Sequence, residues 1–299
     1  MTRLEAEAFL AIIQYGSITA AAEKLYVTQP ALSRRVRAME QELGYALLVR
    51  GKGIRSVCLT RQGQAFVPVA ERFCKLYRQA EAIATDNQKP LLNFASVGSV
   101  STCLLPPVLH QFLALKKYNL CFHNYSSFEA YRRIENGMAD LALISNHRYA
   151  KDVITMPAFR EPFVLLCGAG CKISKTPDPM QLNPANEVRL PWSPEYDIWH
   201  ERWFDTAIEP NVTLDHIPLL EDFLAGENWA VVPLTVARRM ERPGICSYPL
   251  RQGPEDRIIY YLVPERRKEE PIQDLLTLLH QELLRFDGVE SFLAKGLAQ

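Results

Sequence analysis

The chain carries no net charge: 34 Lys and Arg balance 34 Asp and Glu over 299 residues. Taken whole, that argues against a cationic protein built to coat nucleic acid or an anionic membrane face. It has no uninterrupted apolar run long enough to cross a bilayer and no apolar signal segment at its start. A cytoplasmic chain without a membrane partner is therefore expected. It has no Gly-rich phosphate loop, no nucleophile elbow and no clustered metal ligands. Nothing thus points to an enzyme, a catalytic residue or a cofactor, although a lone catalytic dyad would leave no such trace. Cys58, Cys74, Cys103, Cys121, Cys167, Cys171 and Cys246 are odd in number and scattered, without a CxxC. Reduced, mostly buried thiols are the expectation. Cys167 and Cys171, across Gly-Ala-Gly, are the one pair placed for a redox switch. The six histidines show no ligand spacing, so no metal is expected.

What is present is unevenly distributed. Residues 1–90 hold 13 Lys and Arg against 8 Asp and Glu, a net of +5, and the remainder carries −5. A basic head on an acidic body is the asymmetry of a DNA-binding domain joined to something else. Within that head, Ser17 stands where a helix N-cap is wanted, and Ala21, Ala22 and Leu25 give a small apolar face. Tyr26 and Val27 form a turn. Thr28 caps the next helix, with Pro30 in its first turn. Leu32, Val36, Met39 and Leu43 are spaced 4, 3 and 4, a single apolar stripe ended by Gly44. The opposite face holds Pro30, Ser33, Arg34 and Arg37. Residues 47–60 then read as a hairpin with a Gly-Lys-Gly tip, Arg50, Lys52 and Arg55 facing a phosphate backbone. Thr28, Gln29, Pro30, Ser33, Arg34, Arg37, Arg50, Lys52 and Arg55 are the candidate DNA-binding residues: Gln29, Ser33 and Arg34 for base edges, Arg37 and the hairpin for phosphates.

This head resembles the winged helix-turn-helix of the LysR-type transcriptional regulators. The matching words are Gly16-Ser17-Ile18-Thr19-Ala20-Ala21-Ala22 with Leu25, then Thr28-Gln29-Pro30-Ala31-Leu32-Ser33, Leu43-Gly44, Leu47-Leu48-x-Arg50 and Leu59-Thr60-x-x-Gly63. Ile18 and Leu48 replace phenylalanines common in the family, and the wing is longer than usual. Residues 61–85 read as one long helix whose apolar stripe, Phe66 to Ala84, exceeds what a head core needs. A second copy of the chain would cover it, and the resemblance implies a dimerising linker here. Pro68 should bend this helix or mark a late start.

From Leu91 strands and helices alternate, so a mainly parallel sheet is expected. Leu104-Leu105-Pro106-Pro107, Gly137-x-x-Asp140-Leu141-Ala142-Leu143 and Ala225-Gly226 with Ala230-Val231-Val232-Pro233 are similar to the effector-binding domain of the same family. The resemblance implies an α/β two-lobed domain like periplasmic solute-binding proteins. The reading is multi-domain: an all-α winged helix-turn-helix head at 1–60, a linker and dimerisation helix at 61–88, and an effector domain at 89–299. Its first lobe would take about 91–157 and 265–299, its second 158–264, with hinges near 156–161 and Pro264. Helix starts at Ser99, Ser101 and Thr102, and at Ser127, offer hydroxyls and free N–H groups without an adjacent lysine or arginine, which suits a small carboxylate effector. Trp192 and His216 lie where the family lines the interlobe cleft. Expected partners are double-stranded DNA, the effector and a second or further copies of the chain, as dimer or tetramer. The alternatives are a solute-binding protein with a non-functional head, and a thiol-based redox-responsive regulator.

Overall fold

The structure, a computed structural model, describes residues 1–49, 57–83, 89–205, 207–265 and 270–296, and of residues 79, 82, 83, 295 and 296 the backbone alone. The chain divides into two compact units, Met1–Gln88 with Asn136–Met138, and Lys89–Glu135 with Ala139–Gln299.

In the first unit, α1 (Arg3–Tyr15) starts on a capping box: Thr2 Oγ1 accepts from Glu5 N, and Thr2 N donates to the Glu5 carboxylate. Ser17 caps α2 (Ile18–Lys24) and Thr28 caps α3 (Gln29–Leu43), each side chain accepting a backbone N–H three residues on. Leu32, Val36 and Met39 of α3 are buried with Phe9, Ile12, Ala21 and Ala22. Each of the larger of these side chains stabilises the helix packing by about 1.5–3 kcal/mol. The alanines of α2 let the helices approach closely. Gly44, at φ 77°, supplies the left-handed stop. Next come β1 (Leu48–Val49) and β2 (Cys58–Leu59), paired antiparallel as the base of the expected hairpin. Glu40 Oε1 accepts from the backbone N of Leu47 (2.8 Å) and Leu48 (3.1 Å), tying the hairpin to α3. Then α4 (Arg61–Ile83) begins on Thr60, whose Oγ1 accepts from Gly63 N at 2.8 Å and donates to Ala46 O at 2.7 Å. The helix runs through Pro68 without a late start.

The long stripe on α4 is divided. Phe66, Ala70 and Cys74 are buried in the head core with Phe73 packed on it, against α1. Arg3 of α1 also pairs with Glu81 and lies 5.4 Å over the Tyr77 ring. Val69, Leu76 and Tyr77 remain 50%, 56% and 44% exposed.

The second unit opens with β3 (Leu91–Ser96), α5 (Gly98–Cys103), α6 (Leu105–Ala114), β4 (Asn119–Asn124), α7 (Ser127–Glu135), β5 (Leu141–Ile144) and β6 (Val153–Glu161). A second lobe follows: β7 (Phe163–Gly168), β8 (Val188–Arg189), α8 (Pro194–Trp203), β9 (Val212–Thr213), α9 (Leu220–Phe223), β10 (Trp229–Pro233), α10 (Leu234–Met240) and β11 (Ile245–Pro249). The chain returns through β12 (Arg257–Pro264), α11 (Glu270–Leu283), β13 (Glu290–Ser291) and α12 (Leu293–Gly296). The first lobe is a six-stranded sheet in the order β13-β6-β12-β5-β3-β4, and the second is built on the three-stranded sheet β10-β7-β11.

Three expectations are corrected here. Only the β5-β3-β4 side of the large sheet is parallel; β12, β6 and β13 are antiparallel, because the chain enters the second lobe from β6 and comes back as β12 beside it. The second-lobe sheet is antiparallel throughout. Residues 158–161 and 257–264 therefore belong to the first lobe. The crossings fall at Pro162 and between Pro249 and Arg257, so residues 156–161 and Pro264 lie inside strands and not at hinges.

Candidate nucleic-acid interface and interlobe site

The capped α3 presents one face to the core and the other outward. Gln29, Pro30, Ser33, Arg34 and Arg37 line a single surface groove. Arg34 and Arg37 are exposed and Ser33 is half-buried. Thr28 does not line this groove; its hydroxyl accepts from Ala31 N as the helix cap. The first turn of the helix is thus free to lie against an anionic polymer while the stripe on its far side stays packed. Arg50, Lys52 and Arg55 lie outside the described residues. Sequence reasoning placed Tyr26 in the turn without giving it a role. It holds φ 54° and is 96% exposed, an aromatic side chain projecting beside the start of α3.

In the second unit the expected effector residues are differently employed. Val97, not a serine, precedes α5, and it makes no side-chain cap. Ser99, Ser101 and Thr102 sit inside that helix, and Ser101 Oγ donates to Gly98 O at 2.9 Å. Ser126 caps α7 by accepting from Glu129 N, whereas Ser127 Oγ accepts from Ser145 N and Asn146 N at the end of β5. Trp192 is half-buried, with Nε1 donating to Val231 O at 2.9 Å and its ring against Phe163. His216 is exposed at the start of the short turn Ile217–Leu219, which neighbours α5.

The expected absence of an adjacent cation is wrong. Arg257 Nη2 donates to Ser99 Oγ at 2.8 Å, and the guanidinium lies 5.5 Å from the Trp192 ring centroid. Opposite Arg257 in the β6–β12 ladder is Glu161, fully buried. Glu161 Oε2 accepts from Thr235 N (3.0 Å) and Thr235 Oγ1 (2.7 Å) at the start of α10. Ser99 and Arg257 are 158 positions apart, so no local spacing could have signalled the pair.

Four other aromatic residues of the second lobe are core. Tyr196, Trp199, Phe204 and Trp229 pack together, and Trp229 Nε1 donates to Asn183 O. Cys167 and Cys171 are close, but burial pushes the Cys167 thiol up to about 12 and Cys171 in the same direction. Such thiols are poor nucleophiles.

Comparison with known proteins places both units. Residues 5–64 match the family described as bacterial regulatory helix-turn-helix protein, lysR family, and residues 85–284 match the LysR substrate binding domain. The chain is 30% identical over 163 residues to the Hca operon transcriptional activator HcaR of Escherichia coli K12, covering 53% of this chain and 54% of that protein. It is 29% identical over 151 residues to the HTH-type transcriptional regulator CysB of Haemophilus influenzae, covering 48% and 46%. These matches span about half the length of the curated relatives. The solved structure of full-length CbnR complexed with its target DNA shares the fold, with a TM-score of 0.70 at 22% identity over 94% of this chain and 100% of that one. Full-length BenM is similar at a TM-score of 0.53 and 21% identity, over 95% and 97%. The family models cover more than half of the sequence, and the chain belongs to the LysR family of bacterial regulatory helix-turn-helix proteins.

Proposed function

We propose that this chain is a sequence-specific, DNA-binding transcription regulator of LysR type, controlled by a small effector held between the two lobes of its second unit. The observation that carries the reading is the groove of Gln29, Pro30, Ser33, Arg34 and Arg37 on a capped helix whose opposite face is core. Gln29, Ser33 and Arg34 read base edges in a major groove, and Arg37 with Arg50, Lys52 and Arg55 holds phosphates. The exposed Val69, Leu76 and Tyr77 pair α4 with a second copy, so two recognition helices face an interrupted palindrome. The effector is a small carboxylate, met by Ser99, Ser101, Thr102 and Ser127 on one side and Trp192 and His216 on the other. No reaction is catalysed. Among the described residues no helix is long and apolar enough to cross a membrane, and the protein works in the cytoplasm.

A gel shift of the purified protein on DNA from upstream of its own gene, with unrelated DNA as competitor, tests this. Specific retention is expected. Equal competition by unrelated DNA at physiological salt would overturn it, because backbone contacts alone discriminate no sequence.

A further inference from the structure

A buried polar line joins the two lobes. Arg257 opens β12, and its side chain is 8% exposed. Its Nη2 is taken by Ser99 of the first lobe. Its Nη1 faces Glu161 Oε1 at 3.7 Å, beyond hydrogen-bond length, and neither of these two atoms has a hydrogen-bond partner. The other oxygen of Glu161 is spent on Thr235 at the start of α10, in the second lobe. Trp192, also of the second lobe, covers the guanidinium. An arginine–carboxylate pair this deep is expected to be bidentate, since buried charge without full hydrogen bonding is costly. Here the carboxylate is committed elsewhere, and the guanidinium keeps an N–H edge unmatched. Burial pushes the Glu161 carboxyl up and Arg257 down, the directions of a pair that does not fully compensate its charges.

We propose that Arg257 is the counter-ion of the effector: the carboxylate of a small acid takes the Nη1 edge beside Ser99, while Glu161 stays on α10. This rests on the reading of the second unit as an effector domain. The ligand's charge is then met by a full cation and not by helix dipoles alone, so an acid is selected over its neutral amide. Ser99, Arg257 and Glu161 belong to the first lobe, and Trp192 and Thr235 to the second. An anion seated on Arg257 touches both sides and favours the lobe arrangement in which both contacts are made.

The test uses the full chain. Acetate, succinate, benzoate and indole-3-acetate are titrated by thermal shift and calorimetry, each beside its neutral amide. At least one acid should bind at or below about 10 mM and its amide at least about tenfold more weakly. The paired variant Arg257→Gln with Glu161→Gln is isosteric at Glu161, shorter at Arg257, and removes both charges, so no lone buried ion is left to unfold the protein. It should melt as a folded protein and lose the acid preference, and Arg257→Lys should restore part of it. Acid binding unchanged in the folded paired variant would overturn the assignment, as would failure of every acid to bind the wild type. The gel shift on wild-type protein is a separate measurement, so loss of the Arg257 assignment and loss of the regulator reading are told apart.

Discussion

Gly63 of α4 lies directly against the carbonyl of Leu47: a β-carbon at Gly63 would sit 2.1 Å from Leu47 O. The same carbonyl accepts from Thr60 N, and Gly63 N donates to Thr60 Oγ1. The Leu-Thr-x-x-Gly word is thus the joint between the hairpin base and α4, and only glycine fits its last position. Gly63→Ala should destabilise the head by about 3 kcal/mol or more, because the obstacle is backbone and cannot rotate away. Urea unfolding followed by circular dichroism reads this; a loss under about 0.5 kcal/mol would show that the joint can open.

Arg34→Ala and Arg37→Ala should differ in kind. The first should cost about 1–3 kcal/mol on the cognate site and relax one base position, whereas the second should weaken all sequences alike and flatten the salt dependence. Fluorescence anisotropy on cognate and singly substituted duplexes across a salt series separates the two. Unchanged affinity and specificity in Arg34→Ala would mean that α3 is docked differently.

Leu76→Asp should give a folded but monomeric protein. Leu76 is exposed on α4, so the charge disturbs no packing within the chain, yet it would be an unpaired ion in a helix seam. Phe73 is a poorer probe, because it packs on the head core. Sedimentation at low micromolar concentration checks this, and an unchanged mass would move the self-association surface off this face.

The thiols should label in order of exposure. Cys58 and Cys246 are exposed, while burial pushes Cys103 and Cys167 up to about 12. At pH 8 about one buried thiol in ten thousand is thiolate. Iodoacetamide with peptide mass spectrometry should find Cys58 and Cys246 alkylated well before the other two. Cys167 labelling as fast as Cys58 would revive the redox-switch alternative.

Trp192→Ala should weaken the response to whichever acid binds, since it removes the cover over Arg257. Ser101→Ala should do so less, its hydroxyl being spent on Gly98 O. Titration of both variants with that acid decides; wild-type affinity in both would remove this part of the cleft from the site.

The head was legible because its signals are local. Ser17, Thr28 and Gly44 each act within a few residues, and the spacing of Leu32, Val36 and Met39 names its own buried face. The boundary between the lobes was read poorly for the opposite reason. The strand β6 contains Pro157 and alternates exposed and half-buried positions at its start, so it reads as a crossing. It is a strand because β12 pairs with it from more than ninety residues away, with a register shift between Ile259 and Tyr260 where Ala158 is skipped beside the proline. The meeting of Ser99, Arg257 and Glu161 depends on that same long-range pairing. The serines were visible; the cation that answers them was not.

The attachment of α4 to α1 has a mechanical consequence. Phe66, Ala70 and Cys74 are set in the head core, and Arg3 grips Glu81 and Tyr77 further along, so the head and α4 form a single lever. A helix of 23 residues is about 34 Å long. Swinging such an arm by roughly 10° about its far end carries its near end by about 6 Å, close to two base-pair steps of about 3.4 Å each. In the dimer proposed above, a modest angular adjustment at the end of α4 would change which half-site spacing the two heads straddle.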